Sequence, residues 1–388
     1  MTALDHSLGG TPHAAPATAA DATTSPVDER EVDAESLSLG RRLRQPRTLI
    51  SILVPIVLIA LVVRSLPGFE LERIPSLIGG ANVALLVVAF LVHYTGFPLR
   101  GIRWATLLRG TGIRIRFRDS TEILFLSWLV NCLVPAKLGD VYRAYLLKIN
   151  GPAVSLSRTF GTVFIERILD LFAIATLGLA AGFWSFRDGL PGEIQVVFGI
   201  GLGVMLVLAA GLLTMRNFGR RIVVRLPLPH QVVELYDKFE EGVFGAIAAR
   251  TMPRLVVITG LIWMTEGMRL FLVIRALGFE EVQMGISGAF FVAFIASLLT
   301  AVPLSPAGLG IVEAGVVGVL TIAYGVPPTE AAAIALVDRA ISVFSIVILG
   351  SLAYVVSPLR RGTGLRPGGP DPKGSSADRL APHPSSRD

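Results

Sequence analysis

The feature that most constrains this chain is an apolar run that breaks midway and is followed by charge inside the next apolar segment. Residues 127–170 read SWLVNCLVPAKLGDVYRAYLLKINGPAVSLSRTFGTVFIERILD, with Asn131, Pro135 and Gly139 as interruptions and Glu166, Arg167 and Asp170 opening the segment beyond. In lipid, a broken helix leaves backbone amides and carbonyls without partners, which is tolerated only where protein or a water-filled cavity covers them. Ionisable groups at that depth are costly enough to mark function. A second such stretch, FFVAFIASLLTAVPLSPAGLGIVEAG from Phe290, precedes AAIALVDRAISV with Asp338 and Arg339. The chain therefore reads as two related halves, each built around a broken helix.

Apolar residues make up 52% of the 388 residues, and the mean hydropathy is +0.65. Soluble domains hold roughly 45–50% even with glycine counted. This is the composition of an integral membrane protein. The fold class it predicts is all-α and polytopic, with about six full transmembrane helices plus two broken, re-entrant hairpins arranged as an inverted repeat. A pI of 9.8 does not point to nucleic acid here, because the basic residues flank apolar runs instead of gathering on a soluble domain. The single cysteine, Cys132, lies in an apolar run and excludes an internal disulfide.

Residues 1–47 lack apolar periodicity and are expected to be a disordered cytoplasmic tail. The transmembrane domain is expected over 48–356, in halves of about 48–190 and 191–356, with a second disordered cytoplasmic tail at 357–388. Arg41, Arg42, Arg44 and Arg47 precede the first run, Thr48–Leu66, and place the amino terminus inside. A second span, Ala81–Leu99, returns to Arg100, Arg103, Arg109, Arg114, Arg116 and Arg118, read together as one cytoplasmic connection. If Glu122–Val134 crossed the membrane, Lys137, Arg143, Lys148 and Arg158 would lie outside, against the charge rule; a hairpin returning through Gly139–Ile149 keeps them inside. Thr162–Trp184 then runs outward and Ile194–Met215 returns. The segment VVELYDKFEEGVFGAIA is an amphipathic helix, lying at the inner interface or packed as a linker on the bundle. Leu255–Ile274 goes outward, Ser287–Tyr324 forms the second hairpin, and Ala331–Val356 ends inside.

Three crossings per half make the second half enter from the opposite side. Val134-Pro135 stands before Gly139 and Asp140 as Val302-Pro303 stands before Gly310 and Glu313. Glu166 follows Gly139 by 27 residues and Asp338 follows Gly310 by 28, each acid adjoined by an arginine, Arg167 or Arg339. Helices starting at Gly139 and Gly310 would offer free N–H groups to an anion such as phosphate; close helix packing is the plainer role for these glycines and for Gly308. Glu166 and Asp170 share one helical face and need cations or a shared proton, with Arg143, Arg167 and Arg339 as candidates. Such a cluster holds a headgroup, relays protons or clips helices together. Glu266 and Arg269 form a similar one-turn pair, and His93 reads as a packed polar residue. The sequence carries no GxxxxGK[ST], HExxH, CxxC or GxSxG pattern, so no catalytic residue, metal or cofactor is expected.

At NCLVPAKLGDVYRA, ERILD, PAGLGIVEAG and DRAIS the chain resembles the lysylphosphatidylglycerol synthase transmembrane family, also called flippase-like, over roughly residues 48–356. The family pattern is met by Asn131, Pro135, Gly139, Asp140, Arg143, Glu166, Arg167, Asp170, Pro306, Gly308, Leu309, Gly310 and Glu313, with Asp140 where many relatives carry Glu. With Asp338 and Arg339 added and Leu309 set aside, these are the candidate headgroup-binding or translocation residues. The resemblance implies a lipid-translocating module, in some relatives fused to a soluble aminoacyl-transferase domain for which the residues after Val356 leave no room. The expected function is a flippase, not an enzyme, moving an anionic, glycosylated or aminoacylated lipid. Its partner would be a phospholipid or a polyprenyl-phosphate-linked lipid of the bacterial cytoplasmic (inner) membrane, with both termini cytoplasmic. The alternatives are an intramembrane transferase and a non-transporting partner of a separate lipid-modifying enzyme. No nucleic acid is expected as a partner.

Overall fold

The computed structural model describes residues 68–362 except 152–153, 187–191, 226–228, 248, 280–283 and 301–304. The first apolar run, the amino-terminal tail and all but the first residues of the carboxy-terminal tail lie outside the described residues. Those described form helices α1 (Ile74–Gly79), α2 (Val83–Gly110), α3 (Phe117–Leu133), α4 (Leu138–Asn150), α5 (Leu156–Ser185), α6 (Gly192–Thr214), α7 (Arg220–Arg225), α8 (His230–Ala246), α9 (Met252–Leu277), α10 (Ile286–Thr300), α11 (Ile311–Tyr324), α12 (Pro328–Arg339) and α13 (Ser345–Val356). Wide π turns at Met215–Gly219 and Ala340–Phe344 join α6 to α7 and α12 to α13.

Five described segments are long and apolar enough to cross a membrane: Val83–Gly110, Gly201–Gly219, Met252–Leu277, Pro306–Tyr324 and Pro328–Val356. α5 is longer still, at 30 residues, but carries Glu166, Arg167 and Asp170 in its middle. Large apolar side chains such as Val83, Val207, Ile348 and Val355 are exposed, whereas Arg103, Arg143 and Glu166 are buried. Apolar outside and charged inside is the pattern of a multi-pass membrane protein. The chain is accordingly all-α and polytopic.

Local sequence explains where helices stop. α2 begins where the Asn82 side chain accepts the Leu85 amide at 3.2 Å, and it continues through Pro98 to Gly110. Arg100 and Arg103 are therefore helical and buried, and not part of a cytoplasmic loop as the arginine count suggested. The apolar pattern persists past them in Trp104, Leu107 and Leu108, all fully buried. Counting basic residues measures charge along the chain and cannot register that two of them face carboxylates across the bundle.

α3 stops at Leu133, ahead of Pro135, and the chain reverses through Ala136 (φ 64°) and Lys137 (φ 52°). Two consecutive non-glycine residues in the left-handed region cost about 1–2 kcal/mol each, so surrounding packing must hold this turn. α4 then folds back along α3, with Leu146 and Leu147 in the same core as Ile123 and Leu124. The second hairpin repeats the device. α11 folds back along α10, bringing Val319 and Tyr324 to Phe291 and Ile295, and its turn holds Ala307 (φ 51°) and Gly308 (φ 69°). Ala136-Lys137 after Pro135 thus corresponds in backbone conformation to Ala307-Gly308 after Pro306, but Leu138 starts α4 at once whereas Leu309 (φ −50°) and Gly310 (φ 102°) intervene before α11. The pairing of Pro135 with Pro303 proposed from sequence falls outside the described residues, and Pro306 occupies the matching place.

Hydrogen bonds fix which end each hairpin opens toward. The Asn150 side chain at the end of α4 donates to Leu359 O at 2.7 Å, beyond α13, and Arg158 at the start of α5 meets Glu241 of α8 at 2.6 Å. At the far end of α5, the Ser185 hydroxyl lies 2.8 Å from that of Tyr324, at the end of α11. The two hairpins therefore open toward opposite ends of the bundle. α8 packs on α5 where a Cβ on Gly242 would lie 2.2 Å from Arg158 O, and one on Gly161 2.4 Å from Phe239 O. Its buried face, Val243 and Ala246, meets Ile165 and Ile168, so of the two readings of this amphipathic segment the packed one holds.

Candidate functional site

The turns of both hairpins reach one cavity of about 170 Å³, bordered by α2, α3, α5, α9, α10, α12 and the π turn after it. Paired charges form a large part of its wall. On the side of the first hairpin, Arg103 from α2 binds Asp170 through both terminal nitrogens (2.6 and 3.1 Å) and Glu166 through one (2.9 Å). Arg143 from α4 takes the other Glu166 oxygen at 2.9 Å. Arg167 forks onto Asp140, the acid in the first turn of α4, with contacts of 2.7 to 3.1 Å. The indole of Trp263 and the hydroxyl of Thr259, both on α9, complete the set by contacting Asp170 at 3.1 Å and Arg103 at 3.2 Å.

On the side of the second hairpin, Arg269 from α9 forks onto Asp338 of α12 (2.8 and 3.1 Å) and also contacts Glu266. Arg100 reaches the remaining Glu266 oxygen at 2.7 Å and lies over the Trp128 ring at 4.7 Å. Arg339 meets Glu313, the acid in the first turn of α11, at 2.7 Å. The same scheme therefore recurs: the acid of the Glu166-Arg167 or Asp338-Arg339 pair is held by an arginine of α2 or α9, and the arginine of the pair holds the first acid of the returning hairpin helix. Helix α5 or α12 is in this way tied both to a spanning helix and to a hairpin.

Some groups are left open. Arg100 Nη1, Arg103 Nε, Arg339 Nη2, Ser342 Oγ and His93 Nε2 are buried without a hydrogen-bond partner among the described residues, and all five residues line the cavity. Lys137, at the first turn, lines it too and enters no ion pair with a described residue. Counting the cluster, six carboxylates (Asp140, Glu166, Asp170, Glu266, Glu313, Asp338) face seven cations (Arg100, Arg103, Arg143, Arg167, Arg269, Arg339, Lys137), six of which are paired. An excess of one positive charge, carried by the half-buried Lys137, makes the cavity attractive to an anion.

The hairpin glycines do not present free amides. Gly139 N donates to the Asn131 side chain at 2.8 Å, and Gly310 N donates to Glu313. The anion-binding role given to those amides from sequence is overturned by side chains that cap them from within. Nor does Arg339 serve Glu166 or Asp170; it belongs to the second set. Arg143 does bind Glu166, and Arg167 approaches Asp170 at 3.6 Å.

A comparison with known families matches residues 48–350 to the lysylphosphatidylglycerol synthase TM region. The chain belongs to that family. Among curated relatives, a UPF0104 membrane protein of Methanocaldococcus jannaschii is 36% identical over 230 residues, covering 58% of this chain and 93% of that protein. Another, from Methanothermobacter thermautotrophicus, is 28% identical over 301 residues, covering 72% of this chain and 86% of the relative. Glycosyltransferase AglD of Haloferax volcanii is 28% identical over 322 residues, 74% of this chain, but the match takes in only 51% of its length. This chain thus corresponds to about half of that protein.

Of the residues that carry the family pattern, Asn131, Glu166, Arg167, Asp170 and Gly308 line the cavity, together with Asp338 and Arg339. Pro135 and Pro306 shape the turns, Asp140, Arg143 and Glu313 hold the lining charges from behind, and Gly139 and Gly310 sit under the caps. Gly139 is required by contact, since a Cβ there would lie 2.0 Å from Ser127 O. Sequence reasoning missed Arg100, Arg103 and Lys137 as site residues, read Glu266 and Arg269 as a one-turn pair outside the candidate set, and read His93 as packed. The signal for Arg100 and Arg103 was the buried aromatic and leucines that follow them at helical spacing.

Proposed function

We propose that this protein is a lipid translocase that passes the anionic headgroup of a membrane lipid through the cavity between the two hairpins while the acyl or prenyl tails stay in the bilayer. The lipid is a phospholipid or a polyprenyl-phosphate-linked lipid. The observation that carries this reading is the unbalanced cluster: seven buried or half-buried cations against six carboxylates, with Lys137, Arg339 Nη2 and Ser342 Oγ left open toward the cavity. Cavities of this kind at the meeting of broken helices are where membrane carriers bind polar cargo. Asn131, Gly308, Asp338 and Arg339 would contact the headgroup with Lys137, while Arg103, Arg143, Glu166, Arg167 and Asp170 hold the wall. The proposal includes hairpins that dip into the membrane from opposite leaflets, a translocating domain over 48–356, and a cytoplasmic membrane with both termini inside.

Reconstitution into liposomes with a quenchable fluorescent lipid tests it. Protein-dependent transfer between leaflets is expected, falling roughly tenfold, the equivalent of about 1.4 kcal/mol, in Lys137→Met. Equal transfer in empty and protein-containing vesicles would refute it. A second reading, a membrane partner or half of a lipid-modifying transferase, is favoured by the relative named as a glycosyltransferase, whose length is about twice that matched here. Mass spectrometry of the lipid after incubation separates them, because a translocase returns its substrate chemically unchanged.

A further inference from the structure

Away from the cavity, the π turn Met215–Gly219 and α7 carry Arg216, Arg220, Arg221 and Arg225. With Phe218, Val224 and Glu240 of α8 they line a groove of about 450 Å³. The groove is set by a specific close approach. A Cβ on Gly219 would lie 2.0 Å from the Tyr236 hydroxyl oxygen, so the Tyr236 side chain of α8 lies directly against the backbone at position 219. Arg220 Nε is anchored to Asp237 at 3.3 Å, while Arg216, Arg221 and Arg225 enter no ion pair with a described residue. Burial, and then the neighbouring Asp237, push the Glu240 carboxyl above its ordinary value.

Position along the helix indicates the partner. The candidate span Gly201–Gly219 ends in this groove, and Leu206, Val207 and Leu213 on it are exposed. The arginines therefore follow directly where a lipid-facing apolar surface stops, at headgroup level. Phe218 (52% exposed) and Val224 (55% exposed) stand among them. Guanidinium groups interleaved with exposed apolar side chains suit an interface with phosphate above and acyl chains below. A nucleic acid offers no apolar phase to such side chains.

We propose that this groove binds the headgroup of an anionic phospholipid of the adjoining leaflet, at a site separate from the central cavity. The test uses full-length protein carrying Phe218→Trp, reconstituted in phosphatidylcholine vesicles in which a minor fraction of lipid is either brominated phosphatidylglycerol or brominated phosphatidylcholine. After subtraction of the parent's own tryptophan signal, phosphatidylglycerol should quench roughly threefold more strongly. The preference should vanish when Arg216, Arg221 and Arg225 are all changed to Gln, with Arg220 kept so that its pair with Asp237 survives. Equal quenching by the two lipids, a preference that persists in the triple variant, or displacement by inorganic phosphate or by polyuridylate would each overturn the proposal. Should the triple variant not fold, the single variants Arg221→Gln and Arg225→Gln in the Phe218→Trp protein decide: a reduced preference for phosphatidylglycerol in either supports the site, and a preference unchanged in both refutes it.

Discussion

In the half built from α2 to α5, Glu166 is gripped by two arginines, Asp170 by a forked arginine and an indole, and Asp140 by another fork. In the half built from α9 to α13 the same positions are joined more sparsely, Asp338 being held by one arginine, Arg269, and Glu313 by one, Arg339. Buried donors without a partner among the described residues occur in both halves, at Arg103 Nε and Arg143 Nε in the first and at Arg339 Nη2 and Ser342 Oγ in the second. The wiring is shared while the number of arginines on each acid differs. Acids held by several charge-assisted hydrogen bonds stiffen a bundle more than acids held by one. Under the proposed function, the first half is the frame and the second the face that meets cargo.

The largest expected effect lies in the frame. Arg103→Met strands Asp170 and loosens Glu166, and should cost about 3–5 kcal/mol, read as a lowered unfolding midpoint in detergent. Next, Gly139→Ala should lose about 1–3 kcal/mol by overpacking, since the carbonyl of Ser127 leaves a Cβ no room. Asp338→Asn should cost about 1–2 kcal/mol, as Arg269 still holds Glu266; if it destabilises as much as Arg103→Met, the two halves do not differ as argued. Smallest is Ser342→Ala, with a stability change within about 0.5 kcal/mol yet slower lipid transfer in the liposome assay. Unaltered transfer there would remove the second half's claim to the cargo face.

Much of the fold was readable before any coordinates. Pro135 and Gly139 marked one broken helix, the SPAGLG segment marked another, and the adjacency of acid and arginine on α5 and α12 marked where charge would gather. The partners of those charges were not readable in the same way. Arg103 lies 63 residues from Glu166, and Arg269 lies 69 from Asp338, so no local periodicity joins them. The amides of Gly139 and Gly310 were read as open because a helix start in sequence looks the same whether or not a side chain caps it. Asn131 reaches its amide only because α4 folds back on α3, and Glu313 does so through the first turn of its own helix.

By itself the sequence determined that this chain is an all-helical membrane protein with two interrupted hydrophobic stretches and charged residues within its spans. Both follow from the cost of bare backbone and bare charge in hydrocarbon, a property of composition and order along the chain. Only the tertiary structure decided which cation answers which acid, which amides are closed, and which donors remain open. Pairing depends on distances of a few ångströms between helices far apart in sequence, and packing alone sets those.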